Sequence, residues 1–274
     1  MEMTERDPTA TKGTQSLHRA TSLLRMLAAR PGLQLRLSDL SSQSGLSIST
    51  THRILQGLVS EGWVTQDGRT SQYLLGPLAY EIGLAARKPA RLHQLAGVAL
   101  DRLANESGDT AFLSVRSDLE AVCIDRREGS FPIRALVLDI GGRRPLGVGA
   151  GAMALLMAMP DEEINQILQR IDGRLAAYKT NAEVLRAGVK RSRKLGFAFN
   201  DGHILAGHKG VALPFRDPAG AVIGALSLAA ISERVSPPRC LELVRILRRE
   251  ARLLESELRT SVGLSPRTGT PLDE

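Results

Sequence analysis

The sequence LSDLSSQSGLSISTTHR, residues 37–53, decides the fold of the N-terminal part of the chain. Leu37 and Leu40 have the spacing of one helix face, and Gly45 suits the left-handed cap that ends a helix. Ser47 is a typical N-cap for a second helix that begins directly after this turn. The stretch therefore predicts two helices joined by a tight turn.

The second helix has two chemically different faces. A period of 3.6 residues turns Thr51, Leu55 and Leu58 inward, and the opposite face is polar. The outward residues are Ser49, Thr50, Arg53, Gln56 and Ser60. Hydroxyls and free N–H groups at a helix start suit phosphates, and arginine and glutamine side chains can reach base edges. By itself this face fits a DNA recognition helix and an ordinary solvated helix equally well.

The next segments favour the DNA-binding interpretation. A first helix is predicted at residues 16–29, ahead of the helix pair. Two short β-like segments at 63–65 and 72–75 follow the helix pair. They are joined across Asp67-Gly68, a hairpin signal. Three helices and a hairpin predict a winged helix-turn-helix with Arg69 near the wing tip. The candidate DNA-binding residues are Arg36, Ser47, Ser49, Thr50, Thr51, His52, Arg53, Gln56 and Arg69.

Composition limits the kinds of partner. The chain has 274 residues, enough for about two domains, and a net charge of +7, which is consistent with a polyanionic partner. Aromatic residues make up 3%, too few for a platform that stacks single-stranded bases. The two cysteines are far apart, which predicts a reducing compartment. The N-terminus is polar and unlike a signal peptide, which predicts a cytoplasmic protein. The lack of a ~20-residue apolar run predicts that the chain does not cross a membrane.

The chain is predicted to divide at a helical linker. We expect a disordered leader at 1–14, the winged helix at 15–76, the linker at 77–90, an α+β domain at 91–260 and a disordered tail at 261–274. Lys88-Pro89 is expected to break the linker helix. Further helices are predicted at 91–107, 161–171, 182–195 and from 236 onward, and strands at 110–117, 120–126, 134–138, 211–215 and 222–229.

Several segments in this order resemble the IclR family of bacterial transcriptional regulators, over residues 15–258. They are STTHR at 49–53, YLLGP at 73–77, IDR at 124–126, the small residues at 141–154, GFAFND at 196–201 and ALS at 225–227. The resemblance implies a C-terminal effector-binding domain of GAF-like fold that binds a small organic or aromatic acid. It also implies a dimer or dimer of dimers and a palindromic operator in double-stranded DNA.

The effector site is expected around the small residues at 147–152. Glycines there let a ligand approach the backbone just before a helix, whose N–H groups favour a carboxylate. The candidate effector-binding residues are Leu146, Ala150, Gly151, Asn200, Asp201, His203, His208, Gly210 and Ser227. Without the resemblance, the small residues at 147–152 are better interpreted as a place where two elements pack closely than as a ligand site. Ala229 and the segment Asn200 to His203 depart from the family pattern, so the ligand is expected to differ in polarity.

Other chemistries find less support in the sequence. Gly147 to Ala152 matches a dinucleotide-binding pattern but lacks a βαβ context. His203 and His208 with Asp201 form only a weak metal signal, so neither cofactor nor metal is expected. Ser227 beside His203 or His208 is the one nucleophile–base candidate for an enzyme fused to a DNA-binding module, and no G-x-S-x-G motif supports it. Arg143-Arg144 and Arg248-Arg249 are interpreted as solvated faces.

Overall fold

The computed structural model describes residues 14–29, 34–85, 87–202 and 206–262, with the side chains of 87–91 and 261–262 excepted. The chain divides into two compact units, and the break lies between Arg87 and Lys88. The predicted disordered leader falls outside the described residues except for Thr14, and the predicted tail falls outside them except for residues 261–262, which are helical. In the described part of the chain, no helix is both long and apolar enough to cross a membrane.

The first unit is a winged helix-turn-helix, as predicted. Its elements are α1 (Gln15–Ala28), α2 (Leu37–Ser44), α3 (Ile48–Ser60), β1 (Val64–Gln66), β2 (Tyr73–Leu75) and α4 (Pro77–Ala85). Leucines from all of the first three helices meet in one core, together with the fully buried Tyr73 of the wing. The Gly45 cap ends α2 with a φ of 66°, so the predicted turn is present.

The wing is an antiparallel hairpin with Val64 opposite Leu75 and Gln66 opposite Tyr73. Tyr73 also exchanges both backbone hydrogen bonds with Leu35, at 2.8 and 3.1 Å. This bridge ties the segment before α2 to the wing and was not predicted. A Cβ at Gly76 would overlap the carbonyl of Gly62, so only glycine lets the wing end against that turn.

The second unit is an antiparallel sheet covered by helices on both faces. Its elements are α5 (Arg87–Ser107), β3 (Thr110–Ser117), β4 (Glu120–Arg127), β5 (Arg143–Pro145), α6 (Ala150–Met157), α7 (Asp161–Leu175), α8 (Ala182–Leu195), β6 (Ala198–Asn200), β7 (His208–Arg216), β8 (Val222–Ile231) and α9 (Pro237–Val262). The strand order is β5-β4-β3-β8-β7-β6. Helices α5 and α9 pack on one face, and α6, α7 and α8 form the core on the other. The predicted α+β class is confirmed.

Two predictions of local structure are wrong. Residues 134–138 form no strand, because Gly141 and Gly142 already occupy the edge of β4 through hydrogen bonds with Cys123 of 2.7 and 3.0 Å. Lys88-Pro89 does not end a helix either, because α5 begins at Arg87 and runs through it. A proline in the first turn of a helix removes no hydrogen bond, which explains why this one is tolerated.

Candidate DNA-binding face and effector cavity

Ser47 organises the start of the predicted recognition helix α3. Its hydroxyl accepts a hydrogen bond from the backbone N–H of Thr50 at 3.2 Å and lies 2.9 Å from the Thr50 hydroxyl. The hydroxyl of Ser49 lies 3.1 Å away. Three hydroxyls therefore cluster where the free N–H groups of the helix end point outward, an arrangement suited to a phosphate.

The outward face of α3 is exposed along its length. Ser49, His52, Arg53 and Gln56 are all exposed, and Thr50 is partly so. The Nε2 atoms of Gln56 and His52 lie 3.4 Å apart, whereas Arg53 has no ion-pair partner in the described part of the chain. An unpaired guanidinium at this position is free to bind a base edge or a phosphate.

Thr51 was included among the candidate DNA contacts, and the structure corrects this. Its side chain is fully buried, and its hydroxyl donates to the carbonyl of Ser47 at 3.0 Å. The helical period had already turned Thr51 inward. Its role is to anchor α3 to the core.

Two further candidate DNA contacts flank the helix pair. Arg36 is exposed, and its backbone N–H donates to the Asp39 carboxylate at 3.1 Å. Arg69 is exposed on the wing loop. Backbone N–H groups of Thr70 and Arg69 donate to Asp67 at 2.9 and 2.8 Å and lower the pKa of that carboxyl. The ionised Asp67 thereby holds the loop that presents Arg69.

A cavity lies in the second unit between the sheet and the start of α6. Strands β3, β4, β7 and β8 form its floor, and the residues around Gly149 form one wall. Its lining residues are Phe112, Ser114, Ala121, Val137, Leu138, Arg144, Val148, Gly149, Ala150, Gly151, Ala152, Asn200, His208, Lys209, Gly210, Ser227, Leu228 and Ala229. A largely apolar wall with a few polar groups is typical of a small-molecule site.

Six of the nine predicted effector residues line this cavity: Ala150, Gly151, Asn200, His208, Gly210 and Ser227. Leu146 is fully buried in the core below α6. Asp201 forms an ion pair with Lys209 at 2.9 Å and lies outside the lining. His203 lies outside the described residues.

Two buried serines face the cavity at Gly151. As whole residues Ser114 and Ser227 are 4% and 7% exposed, and neither hydroxyl has a hydrogen-bond partner among the residues that the structure describes. Neither hydroxyl is among the fully buried polar atoms without a partner, so both are accessible from the cavity. A Cβ on Gly151 would lie 2.9 Å from the Ser114 hydroxyl and 3.5 Å from that of Ser227. Hydroxyls that open onto a mostly apolar cavity are suited to fix a polar group of a ligand. Ser114 was missed, although it is a mid-strand serine like Ser227.

The interpretation of Arg143-Arg144 as a solvated face is wrong. Arg143 donates to Glu120 and Ser117, both at 2.7 Å. Arg144 lines the cavity and donates to the carbonyl of Val137. Burial lowers the pKa of the Arg144 guanidinium. Side chains alternate between the faces of a strand, and this rule could have separated the two arginines once residues 143–145 were taken as a strand.

The described residues do not form the arrangements that a dinucleotide site, a nucleophile–base pair or a metal site would require. Gly147 to Ala152 follows the antiparallel strand β5 and leads into two consecutive helices, so the dinucleotide-binding pattern has no βαβ unit. Ser227 and His208 both line the cavity but make no hydrogen bond to each other; the Nδ1 of His208 lies 3.3 Å from the carbonyl of Ala206. Among described residues, no three His, Cys, Asp or Glu side chains are grouped to hold a metal ion.

Comparison with known proteins matches both units. Residues 16–68 match the IclR helix-turn-helix domain, and residues 85–255 match the family described as bacterial transcriptional regulator IclR C-terminal. The chain is 28% identical to the HTH-type transcriptional repressor AllR of Salmonella typhi, over 95% of this chain and 94% of that protein. It is 27% identical to AllR of Escherichia coli K12, over 94% of each chain.

Solved structures show the same fold. An IclR transcriptional regulator from Silicibacter sp. TM1040 superposes with a TM-score of 0.76 at 22% identity, covering 89% of this chain and 96% of the other. An IclR homolog from Microbacterium hydrocarbonoxydans, complexed with 4-hydroxybenzoate, has a TM-score of 0.71 at 24% identity, covering 90% of this chain and all of the other. The chain belongs to the IclR family of bacterial transcriptional regulators.

Proposed function

We propose that this regulator reads a palindromic operator in the cytoplasm through the exposed face of α3, as a dimer or a dimer of dimers. The observation that carries the proposal is the set of Ser49, Thr50 and Arg53 on one accessible face beside a helix N-terminus. Arg53 reads a base edge, and the hydroxyls bind phosphate. The wing adds a backbone contact through Arg69. The protein acts as a regulator and not as an enzyme.

The dimer is proposed from the linker helix α4. None of its side chains is buried within the first unit, although its sequence is mostly apolar. Tyr80 and Leu84, four residues apart on one helix face, are 70% and 62% exposed. Such a stripe on a surface helix is a liability for a monomer, and a second copy of α4 would cover it.

The cavity of the second unit is proposed to bind a small organic acid that changes operator affinity. It is supported by the buried serine hydroxyls, the free N–H groups at the start of α6 and the apolar wall. The 4-hydroxybenzoate bound by the Microbacterium homolog suggests an aromatic acid as one class to test. We expect the ligand to act through the linker helix on the separation of the two recognition helices, with a coupling of about 1–3 kcal/mol.

Selection of bound fragments from random double-stranded DNA tests the first part of this proposal. We expect a palindrome whose half-sites lie about one helical turn, or a multiple of it, apart. The selected fragment then serves in an electrophoretic mobility shift with and without candidate acids. Enrichment of no sequence above background would contradict a sequence-specific regulator.

Ser227→Ala tests the cavity. Loss of its hydroxyl is expected to weaken the response of operator binding to an acid while leaving operator affinity without ligand unchanged. Ser256→Ala is the matched control, because Ser256 lies on α9, away from the cavity lining. An effector titration that is the same for wild type and Ser227→Ala would count against this site.

A further inference from the structure

The charges in the cavity are unbalanced. Among the described residues, two cations line it, Arg144 and Lys209, and no carboxylate does. The Asp201 carboxylate, 2.9 Å from Nζ of Lys209, balances that cation from outside the lining. Arg144 has no ion pair in the described part of the chain, and its one hydrogen bond from the side chain goes to a neutral carbonyl, that of Val137. The cavity therefore carries one uncompensated positive charge.

The position of Arg144 is fixed by the strand that carries it. Arg144 lies opposite Ala121 in the pairing of β5 with β4, and its neighbour Arg143 points to the other side, where Glu120 and Ser117 hold it. A Cβ on Gly149 would lie 3.3 Å from Nη1 of Arg144, so the guanidinium stands directly at the N-cap of α6. A cation and the free N–H groups of a helix start thus converge on the same point.

Partial burial makes an anion favourable beside Arg144. A guanidinium that is partly removed from water loses hydration that one neutral carbonyl does not fully replace. The lowered pKa of Arg144 has this same cause. Close by, Ser114 and Ser227 are residues more than nine-tenths buried, and their hydroxyls, which have no partner among the described residues, face Gly151 in the first turn of α6. These groups donate hydrogen bonds, and an anion is what would accept them.

We infer that Arg144 is the residue that makes the effector site selective for an anion, with the carboxylate of the ligand bound between its guanidinium and the start of α6. The ligand class is a monocarboxylate whose uncharged part lies along the apolar wall at Phe112 and Val148. This inference rests on the proposed function of the cavity as an effector site. Arg144 is a specificity-determining residue, and the serines bind the ligand irrespective of its charge.

The test compares acids with their uncharged amides. Binding of benzoate, 4-hydroxybenzoate and pyruvate, and of benzamide, 4-hydroxybenzamide and pyruvamide, is measured by calorimetry and thermal shift on the full chain. We expect wild type to prefer a carboxylate over its amide. Arg144→Gln should weaken carboxylate binding roughly tenfold to a hundredfold, the range for losing a hydrogen bond to a charged group, and leave amide binding nearly unchanged. Arg144→Lys should retain part of the preference.

Arg143→Gln is the matched control. It removes the same charge from the adjacent position of β5, but on the side held by Glu120, so the preference for carboxylates should survive. Each thermal shift is taken relative to the same variant without ligand, which separates binding from any loss of stability.

Two results would overturn the inference: no carboxylate binds wild type more tightly than Arg144→Gln, or amides bind wild type as tightly as acids do. Neither result would overturn the proposed regulatory function. If an uncharged ligand alters operator affinity equally in wild type and Arg144→Gln, the proposed regulatory function is supported and the role of Arg144 is contradicted. If the chain selects no DNA sequence yet binds carboxylates through Arg144, the role of Arg144 is supported and the proposed regulatory function is contradicted.

Discussion

At the scale of single residues, the cavity is defined by side chains from distant strands. Arg144 is oriented by the pairing of β5 with β4, and Ser114 and Ser227 are brought to the same glycine by the pairing of β3 with β8. The caps of α2 and α3, at Gly45 and Ser47, depend instead on residues within one turn.

The wing arginine offers a prediction at this scale. Arg69→Ala is expected to weaken binding to every DNA sequence alike, because an arginine that binds the DNA backbone carries no sequence information. The slope of log affinity against log salt concentration should become shallower by about one, since one phosphate fewer is neutralised by the protein. Anisotropy titrations at several salt concentrations measure both quantities. A change in the selected sequence, with an unaltered salt slope, would show that Arg69 reads bases.

Elements with a strong period of their own were predicted to within a few residues, and so were the short wing strands β1 and β2, because Asp67-Gly68 marks the turn between them. Short strands without such a turn signal were not predicted. Helix α8 matches its predicted bounds because Asn181 and Gly196 cap it locally. Strands β5 and β6 have three residues each, too few for any period, and only their neighbours in the sheet define them. The same reason explains the strand wrongly predicted at 134–138.

The junction between wing and helix pair is expected to depend on one glycine. Gly76→Ala should lower the free energy of unfolding of the first unit by about 1–3 kcal/mol, since its Cβ would overlap backbone that cannot move freely. Gly57→Ala is the control: no atom of the described residues lies within 4 Å of its added Cβ, and alanine in α3 should stabilise by up to about 1 kcal/mol. Urea unfolding followed by far-ultraviolet circular dichroism measures both. Equal effects of the same sign would refute this explanation.

Glu120 links β4 to β5 and α7 and gives a pH-dependent prediction. Burial raises the pKa of this carboxyl, but hydrogen bonds from Arg143 and Arg174 outweigh it, so its pKa in the folded protein is lowered. A carboxyl with a lowered pKa stabilises the fold above its unfolded pKa, and this contribution is lost as the pH falls through the folded value.

Glu120→Gln should therefore destabilise the second unit at pH 7 by about 1–3 kcal/mol. The difference in free energy of unfolding between this variant and wild type should shrink below about pH 4, because the wild-type carboxyl becomes protonated there and is then uncharged like glutamine. Urea unfolding at a series of pH values measures it. Glu162→Gln is the control, because Glu162 is exposed and has no ion pair within the described ranges. A difference that stays constant with pH would contradict the ion-pair explanation.

At the scale of the molecule, two units carry two different functions. The winged helix was predictable because its signals lie within about sixty consecutive residues. The cavity draws on residues from Phe112 to Ala229, so only the resemblance to a family indicated where it lies. Residue patterns alone favoured a packing seam there, since small residues serve both purposes.

The exposed stripe of α4 makes the dimer testable. Replacing both Tyr80 and Leu84 by serine is expected to convert a dimer into a monomer and to weaken operator binding, because the two half-sites are then occupied independently. Sedimentation equilibrium gives the mass. Val184→Ser, which removes a 55% exposed apolar side chain from α8, should leave the assembly intact. A double variant that remains dimeric would rule out this face as the interface.

The central claim is that the outward face of α3 reads DNA, and Arg53→Ala tests it most directly. The quantity measured is the ratio of affinities for the selected operator and for an unrelated fragment of equal length. Arg25→Ala, which removes an exposed arginine from α1, is the matched control for charge. The free energy of discrimination that corresponds to this ratio is expected to fall by about 1–3 kcal/mol per half-site for Arg53→Ala and to stay unchanged for Arg25→Ala. An unchanged ratio in Arg53→Ala would contradict the claim.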